Sequence, residues 1–83
     1  MMYGGAQRLD LHGKNKYQAK IIIDSALRKA RGGLYRINII HGYNYGTELR
    51  DMIRGEYSAH PKVLRVENGG NAGETVLVLR ERY

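Results

Sequence analysis

Two short apolar runs in this chain, Leu9-Asp10-Leu11-His12-Gly13 and Arg36-Ile37-Asn38-Ile39-Ile40-His41-Gly42, both close on His-Gly, and each is followed by a stretch with helical spacing. This repeated strand, turn and helix constrains the fold more than any other feature. Alternation over Leu9 to His12 is the period-2 mark of a strand with one buried face, and it puts Asp10 and His12 on the same side. Asn15 then caps a helix, and Gln18, three residues on, completes a capping box. Ala19, Ile22, Ile23, Ala26, Leu27 and Ala30 form one apolar stripe at 3.6-residue spacing, with Lys16, Lys20, Asp24, Arg28 and Arg31 opposite. Gly32-Gly33 should end the helix through a left-handed residue.

The second unit repeats the pattern. Arg36 to Ile40, rich in β-branched residues, predicts a more deeply buried strand closed by His41-Gly42. Thr47 is placed to cap a second helix that buries Leu49, Met52, Ile53 and Tyr57 and stops before His60-Pro61. The period then changes. Val63 to Glu67 and Thr75 to Arg80 read as two strands of an antiparallel hairpin joined by the Gly-rich stretch Asn68 to Gly73. The expected architecture is an α/β chain of the α+β two-layer sandwich type, in the order βαβαββ, with a four-stranded mixed sheet and two helices. Residues 9–83 make the domain and residues 1–8 a flexible N-terminal segment.

With 83 residues there is room for one core. The chain has no cysteine, which excludes disulfides and thiolate zinc sites and fits a reducing cytoplasm. No run approaches the ~18 apolar residues of a membrane span, so no membrane partner is expected. Charge is the informative quantity. The net charge is +6, and all of it lies in residues 1–40, which hold eight bases (Arg8, Lys14, Lys16, Lys20, Arg28, Lys29, Arg31 and Arg36) against Asp10 and Asp24; residues 41–83 hold six of each sign. A lopsided basic excess is the footprint of a phosphate-bearing partner, because displaced counterions supply sequence-independent affinity.

In open α/β sheets, sites gather at the carboxyl ends of parallel strands, and both His-Gly pairs fall there. Each pair opens a helix whose first amides are unpaired, so two helix N-termini side by side can cradle phosphate. Two imidazoles and a carboxylate near a phosphate can move protons: one histidine as base, one as acid, with the aspartate setting a tautomer. Asp10, His12 and His41 are therefore the catalytic candidates. Gly13, Lys14, Lys16, Lys20, Gly42, Tyr43, Tyr45 and Thr47 are the nucleic-acid-binding candidates, the two tyrosines by stacking on unpaired bases. The catalytic trio could instead meet a divalent ion, Mg2+ or Mn2+, but no sequence-local cluster completes its coordination and no metal ligand is assigned. His60, held before Pro61, reads as a surface residue outside the cluster.

These residues carry a family resemblance. Leu9-Asp10-Leu11-His12-Gly13 resembles the opening L-D-x-H-G motif of Smr (small MutS-related) domains. Ile39-Ile40-His41-Gly42, with Gly46, Leu49 and Arg50, resembles their H-G-x-G and following L-R, and Gly70 to Leu79 their closing glycine-rich turn and strand. Asn44 stands where H-G-x-G would put glycine, and Glu74 where a small residue is usual. The resemblance spans Leu9 to about Arg80. It implies a fold similar to the C-terminal domain of translation initiation factor 3 and an endonuclease that nicks DNA or cleaves RNA, messenger RNA on stalled ribosomes included. By motif it carries Asp10 and His12 over as catalytic candidates, His41, Gly42 and Gly46 as a substrate-binding or second catalytic element, and Arg50, at the start of the second helix, as a nucleic-acid-binding residue facing phosphate. The implied partners are RNA or DNA and the ribosome, with the chain acting as a monomer. RNA is favoured, since histidine-based cleavage can use the substrate's own 2′-hydroxyl. The competing reading is a non-catalytic module that docks on nucleic acid or the ribosome through Lys14, Lys16, Lys20, Arg28 and Arg31.

Overall fold

The computed structural model of the chain describes residues 2–3, 5–42 and 47–81. Its elements are β1 (Met2–Tyr3), β2 (Ala6–Asp10), α1 (Lys16–Lys29), β3 (Arg36–Ile40), α2 (Glu48–Tyr57), β4 (Arg65–Asn68) and β5 (Glu74–Val78). The strands form one sheet in the order β1-β2-β3-β5-β4. β2 and β3 run parallel, as a helical crossover requires, and β5 is antiparallel to both β3 and β4. The expected mixed sheet and two helices are therefore present. To them is added the short edge strand β1, antiparallel to β2.

The strand expected from Leu9 begins three residues earlier, so residues 6–8 of the segment read as flexible belong to the sheet. Their sequence is not apolar enough to show it; the pairing partner is Arg36 to Asn38 of β3, far along the chain. Gly5, at φ +88°, makes the turn between β1 and β2, and its carbonyl accepts the Tyr35 amide at 2.7 Å.

α1 starts as expected: Asn15 accepts from the Gln18 amide at 2.8 Å, and the Gln18 side chain accepts from the Asn15 amide at 3.0 Å. Its end differs. Ala30 leaves the helix in an extended conformation, and Gly32 and Gly33 lie in a turn closed by Leu34 N–H to Arg31 O at 2.9 Å, neither at positive φ. Thr47 stands at the head of α2, but its hydroxyl donates to Asp51 Oδ2 at 2.8 Å and accepts no helix amide. The last two strands are displaced by a residue or two from their expected limits, because Val63 sits in the turn after Pro61, its amide donating to His60 O at 2.9 Å.

Both helices pack on the sheet face that carries Leu11, Ile37, Ile39 and Leu77, where Ala19, Ile23, Leu27, Ile53 and Tyr57 complete one core. Each large aliphatic side chain removed from water here contributes about 1.5–3 kcal/mol. Among the described residues no helix is long and apolar enough to cross a membrane. The seam between the helices is polar at its lower end. The Tyr57 hydroxyl donates to Asp24 Oδ1 at 2.6 Å, and Lys20 Nζ lies 2.9 Å from Glu56 Oε2, 3.8 Å from Asp24 Oδ2 and 5.6 Å from the Tyr57 ring centroid. Burial first, and the Asp24 bond second, push the Tyr57 hydroxyl well above its ordinary pKa.

Tyr57→Phe should therefore cost about 1 kcal/mol in urea unfolding at pH 7. A raised pKa in the folded state gives stability that is complete below the unfolded phenol's pKa of about 10 and is lost as pH rises past it. The parent chain should accordingly lose more stability above pH 10 than the variant does. Gly5→Ala should destabilise by at least ~1 kcal/mol, since φ is positive and a methyl group would lie 2.6 Å from Tyr35 Cδ1 and 2.8 Å from Gly33 O. An unchanged urea midpoint would mean that the β1–β2 turn does not hold this conformation.

Candidate nucleic-acid site

The carboxyl ends of β2 and β3 lie side by side, with Asp10 in register with Ile40. Leu11 N–H donates to Ile40 O at 2.7 Å, which extends the pairing one step past the strand and brings His12 to the corner of the sheet. Gly13 and Gly42 follow their histidines at φ +79° and +76°, conformations that favour glycine, and both chains turn there toward their helices. A methyl group added at Gly42 would lie 3.5 Å from His12 Cβ, so the two turns are in contact.

Asp10 and His12 form an exposed pair. His12 Nδ1 is 2.5 Å from Asp10 Oδ1, and the His12 amide donates to the same oxygen at 3.3 Å. An ionised carboxylate can only accept, so Nδ1 carries the proton and, in the neutral ring, the lone pair is on Nε2. The hydrogen bonds from His12 hold the Asp10 carboxyl below its usual range. With side-chain exposures of 69% and 53%, the pair is open to a substrate the size of a nucleic-acid strand.

His41 is placed differently from the open second imidazole expected beside His12. It is buried, with Nε2 2.9 Å from Thr75 Oγ1 and Nδ1 3.1 Å from Gly42 O. The carbonyl can only accept, which puts the proton on Nδ1 and leaves Nε2 to accept from the Thr75 hydroxyl in the neutral ring. Both nitrogens are thereby engaged within the protein. The His41 and Gly42 amides donate to Gly73 O at 2.9 and 3.0 Å, so the Gly42 amide points at the glycine-rich turn. Glu74, the acid of that turn, accepts from Gly70 N–H and Asn38 Nδ2, both at 3.0 Å, which ties both of its oxygens to the loop's own support.

The two helix N-termini do come together. Gly13, Lys14, Asn15 and Lys16 line a cleft with Glu48 and Leu49 of α2. Lys16 Nζ reaches across it to Glu48 Oε1 at 3.5 Å, and Lys20 is held by Glu56 and Asp24. Two of the three lysines read as phosphate ligands thus have acidic partners; Lys14 has no ion pair among the described residues. α2 carries Glu48 and Asp51 in its first turn, which offset its dipole, whereas α1 has no acid there. The cleft is therefore more positive on the α1 side. Thr47 is exposed at the rim and Arg50 is half-buried on α2, while Tyr43, Tyr45 and Gly46 lie outside the described residues. Arg28 and Arg31 are exposed near the far end of α1, away from the cleft, and His60 is half-buried beyond α2. Sequence reading passed over Arg54, one turn beyond Arg50, whose only signal was helical spacing.

Asp10 and His12 supply two metal donors, and among the described residues no group of three His, Asp or Glu stands where an ion could be held. A magnesium ion here would take one carboxylate from Asp10 and the rest of its six oxygens from water and phosphate.

Comparison with known proteins places this geometry. The family model for the Smr domain matches residues 9–80, most of the chain. No curated protein matches. The crystal structure of the Smr domain of Thermus thermophilus MutS2 superposes with a TM-score of 0.80 at 30% identity, covering 90% of this chain and 99% of that one. With a family model matching over residues 9–80 and a solved Smr domain superposing over 90% of the chain, the chain belongs to the Smr domain family, a nuclease-related, nucleic-acid-binding fold.

Proposed function

We propose that the chain is an endonuclease that holds a nucleic-acid strand across the β2–β3 corner, with the Asp10–His12 pair as its proton-transfer centre and RNA as the favoured substrate. The observation that carries this reading is the 2.5 Å contact between His12 Nδ1 and Asp10 Oδ1 at an exposed corner, which fixes the imidazole one residue before Gly13, where the cleft between the two helix N-termini begins. An imidazole oriented by a carboxylate is the arrangement used for general base catalysis.

On RNA, His12 Nε2 takes the proton of the 2′-hydroxyl, the 2′-oxygen bonds to phosphorus, and the bond from phosphorus to the 5′-oxygen breaks, with a proton passing to that oxygen from water. Lys14 and the first amides of α1 steady the phosphate. His41 serves as a positioning residue: through Thr75 and Gly73 it sets the Gly42 turn against which His12 rests. Messenger RNA on a stalled ribosome is the substrate context that the family resemblance implies.

His12→Ala should lower the rate of cutting of end-labelled single-stranded RNA by about 10²- to 10⁴-fold, with binding of an uncleavable DNA strand changed less than about twofold. Asp10→Asn should fall between the variant and the parent. Cutting by the parent should persist in EDTA, whereas plasmid nicking abolished by EDTA would move Asp10 and His12 to metal ligation. Tight, salt-sensitive binding with no product from either substrate would leave a docking module and sink the nuclease reading. Thr75→Val should separate the two histidines: it should lower stability by about 1–2 kcal/mol and slow cutting, while the pH dependence of the residual activity stays that of the parent, because His41 exchanges no proton with substrate.

A further inference from the structure

Arg50 and Arg54 stand one turn apart on α2, half-buried, on one side of a concavity whose other wall is Asn68, Gly69, Asn71 and Ala72 of the glycine-rich turn. Like charges at this spacing repel. The Nε atoms of both arginines are buried and make no hydrogen bond among the described residues. Asp51 Oδ1 lies 3.5 Å from Arg50 Nε, and the other oxygen of Asp51 accepts from Thr47. Arg54 donates to Asn68 Oδ1, a neutral acceptor, and has no ion pair among the described residues. The one acid in the turn, Glu74, is committed to Gly70 and Asn38.

Two guanidinium groups partly withdrawn from water, with Asp51 the single carboxylate facing both among the described residues, carry a desolvation cost that an anion would offset. The planar fork of arginine matches the oxygens of a phosphate, and the opposite wall is built of glycine, alanine and asparagine, which let a phosphate approach closely. This concavity lies on the same sheet edge as the Asp10–His12 pair. Asp10, Ile40 and Glu74 are in register there and Asn68 of β4 pairs with Thr75, so the two places lie at the same ends of the strands, three strands apart, with Asp10 on the face the helices leave open and α2 on the other.

We propose that Arg50 and Arg54, facing the turn from Asn68 to Ala72, form a second phosphate site that holds the backbone of the nucleic-acid strand where it passes over the strand ends, away from the phosphate at His12. The inference rests on the reading that the chain takes a strand along this edge. Its role is to fix the register of that strand, so that the backbone is gripped at two points and the phosphate at His12 is presented in one position.

The test is salt-dependent binding of a twelve-residue oligothymidylate, followed by fluorescence anisotropy in EDTA, for the parent chain and for Arg54→Gln, which keeps an amide donor for Asn68. The slope of log affinity against log salt should fall by about 0.7 in magnitude, one single-strand phosphate contact, which is about a fivefold loss of affinity at 0.1 M relative to 1 M. Arg65→Gln, which removes the same charge from a residue paired with Glu67 and Glu81, should leave the slope as in the parent. Ala72→Glu adds an acid to the exposed wall without touching α2 and should weaken binding as Arg54→Gln does, which keeps the test decisive if Arg54→Gln does not fold by circular dichroism. A parent-like slope in a folded Arg54→Gln or in Ala72→Glu overturns the second site and leaves the proposed nuclease standing. An equal loss in Arg65→Gln reduces the effect to net charge and overturns it too. No binding by the parent chain overturns both readings together.

Discussion

Gly73 O receives two consecutive amides, those of His41 and Gly42, and Thr75 next to that turn holds the His41 ring. This junction ties the end of β3 to the start of β5, and the geometry of the site depends on it. It orients Gly42, and Gly42 is the surface on which His12 rests. It also holds the glycine-rich turn at the sheet edge opposite the arginines of α2. The buried histidine is thus a structural hinge between the two halves of the site. Burying its two polar nitrogens is tolerable because each has a partner; an unpaired one would cost about 1–3 kcal/mol.

The electrostatics sort the basic residues into distinct groups. Lys16 and Lys20 answer carboxylates on α2, and being exposed they contribute little to stability. Among the described residues Lys14 has no such partner at the mouth of the cleft, and Asp51 is the one acid beside the Arg50–Arg54 pair. Attraction of a strand toward the basic half of the chain is a long-range matter of total charge, whereas its final position depends on the cations left without a local acid.

Much of the fold was readable along the chain. The capping box at Asn15 and Gln18, the apolar stripe of α1, the two strands closed by His-Gly and the hairpin after Pro61 all leave local patterns, where spacing and residue type suffice. The Asp10–His12 pair was readable for the same reason, since alternation puts residues two apart on one side. Less legible were the ends: Gly32-Gly33 was expected in a left-handed cap, yet α1 leaves at Ala30 and the glycines serve a turn that meets Arg80 from the far end of the chain. The extension of β2 back to Ala6 was hidden because its partner is β3 and its own residues are polar.

Alternation, helical spacing and turn chemistry thus decide that this chain makes two β-turn-α units and a hairpin, and that Asp10 and His12 meet, because those are short-range consequences of residue type. The sheet order decides the rest. His41 finds Thr75 across 34 residues and Lys20 finds Glu56 across 36, so whether a histidine is open or buried, or a lysine free or paired, depends on which strand lies beside which. Burial and ion pairing belong to the assembled core, where distant residues share one dielectric and one set of neighbours, and no local pattern encodes them.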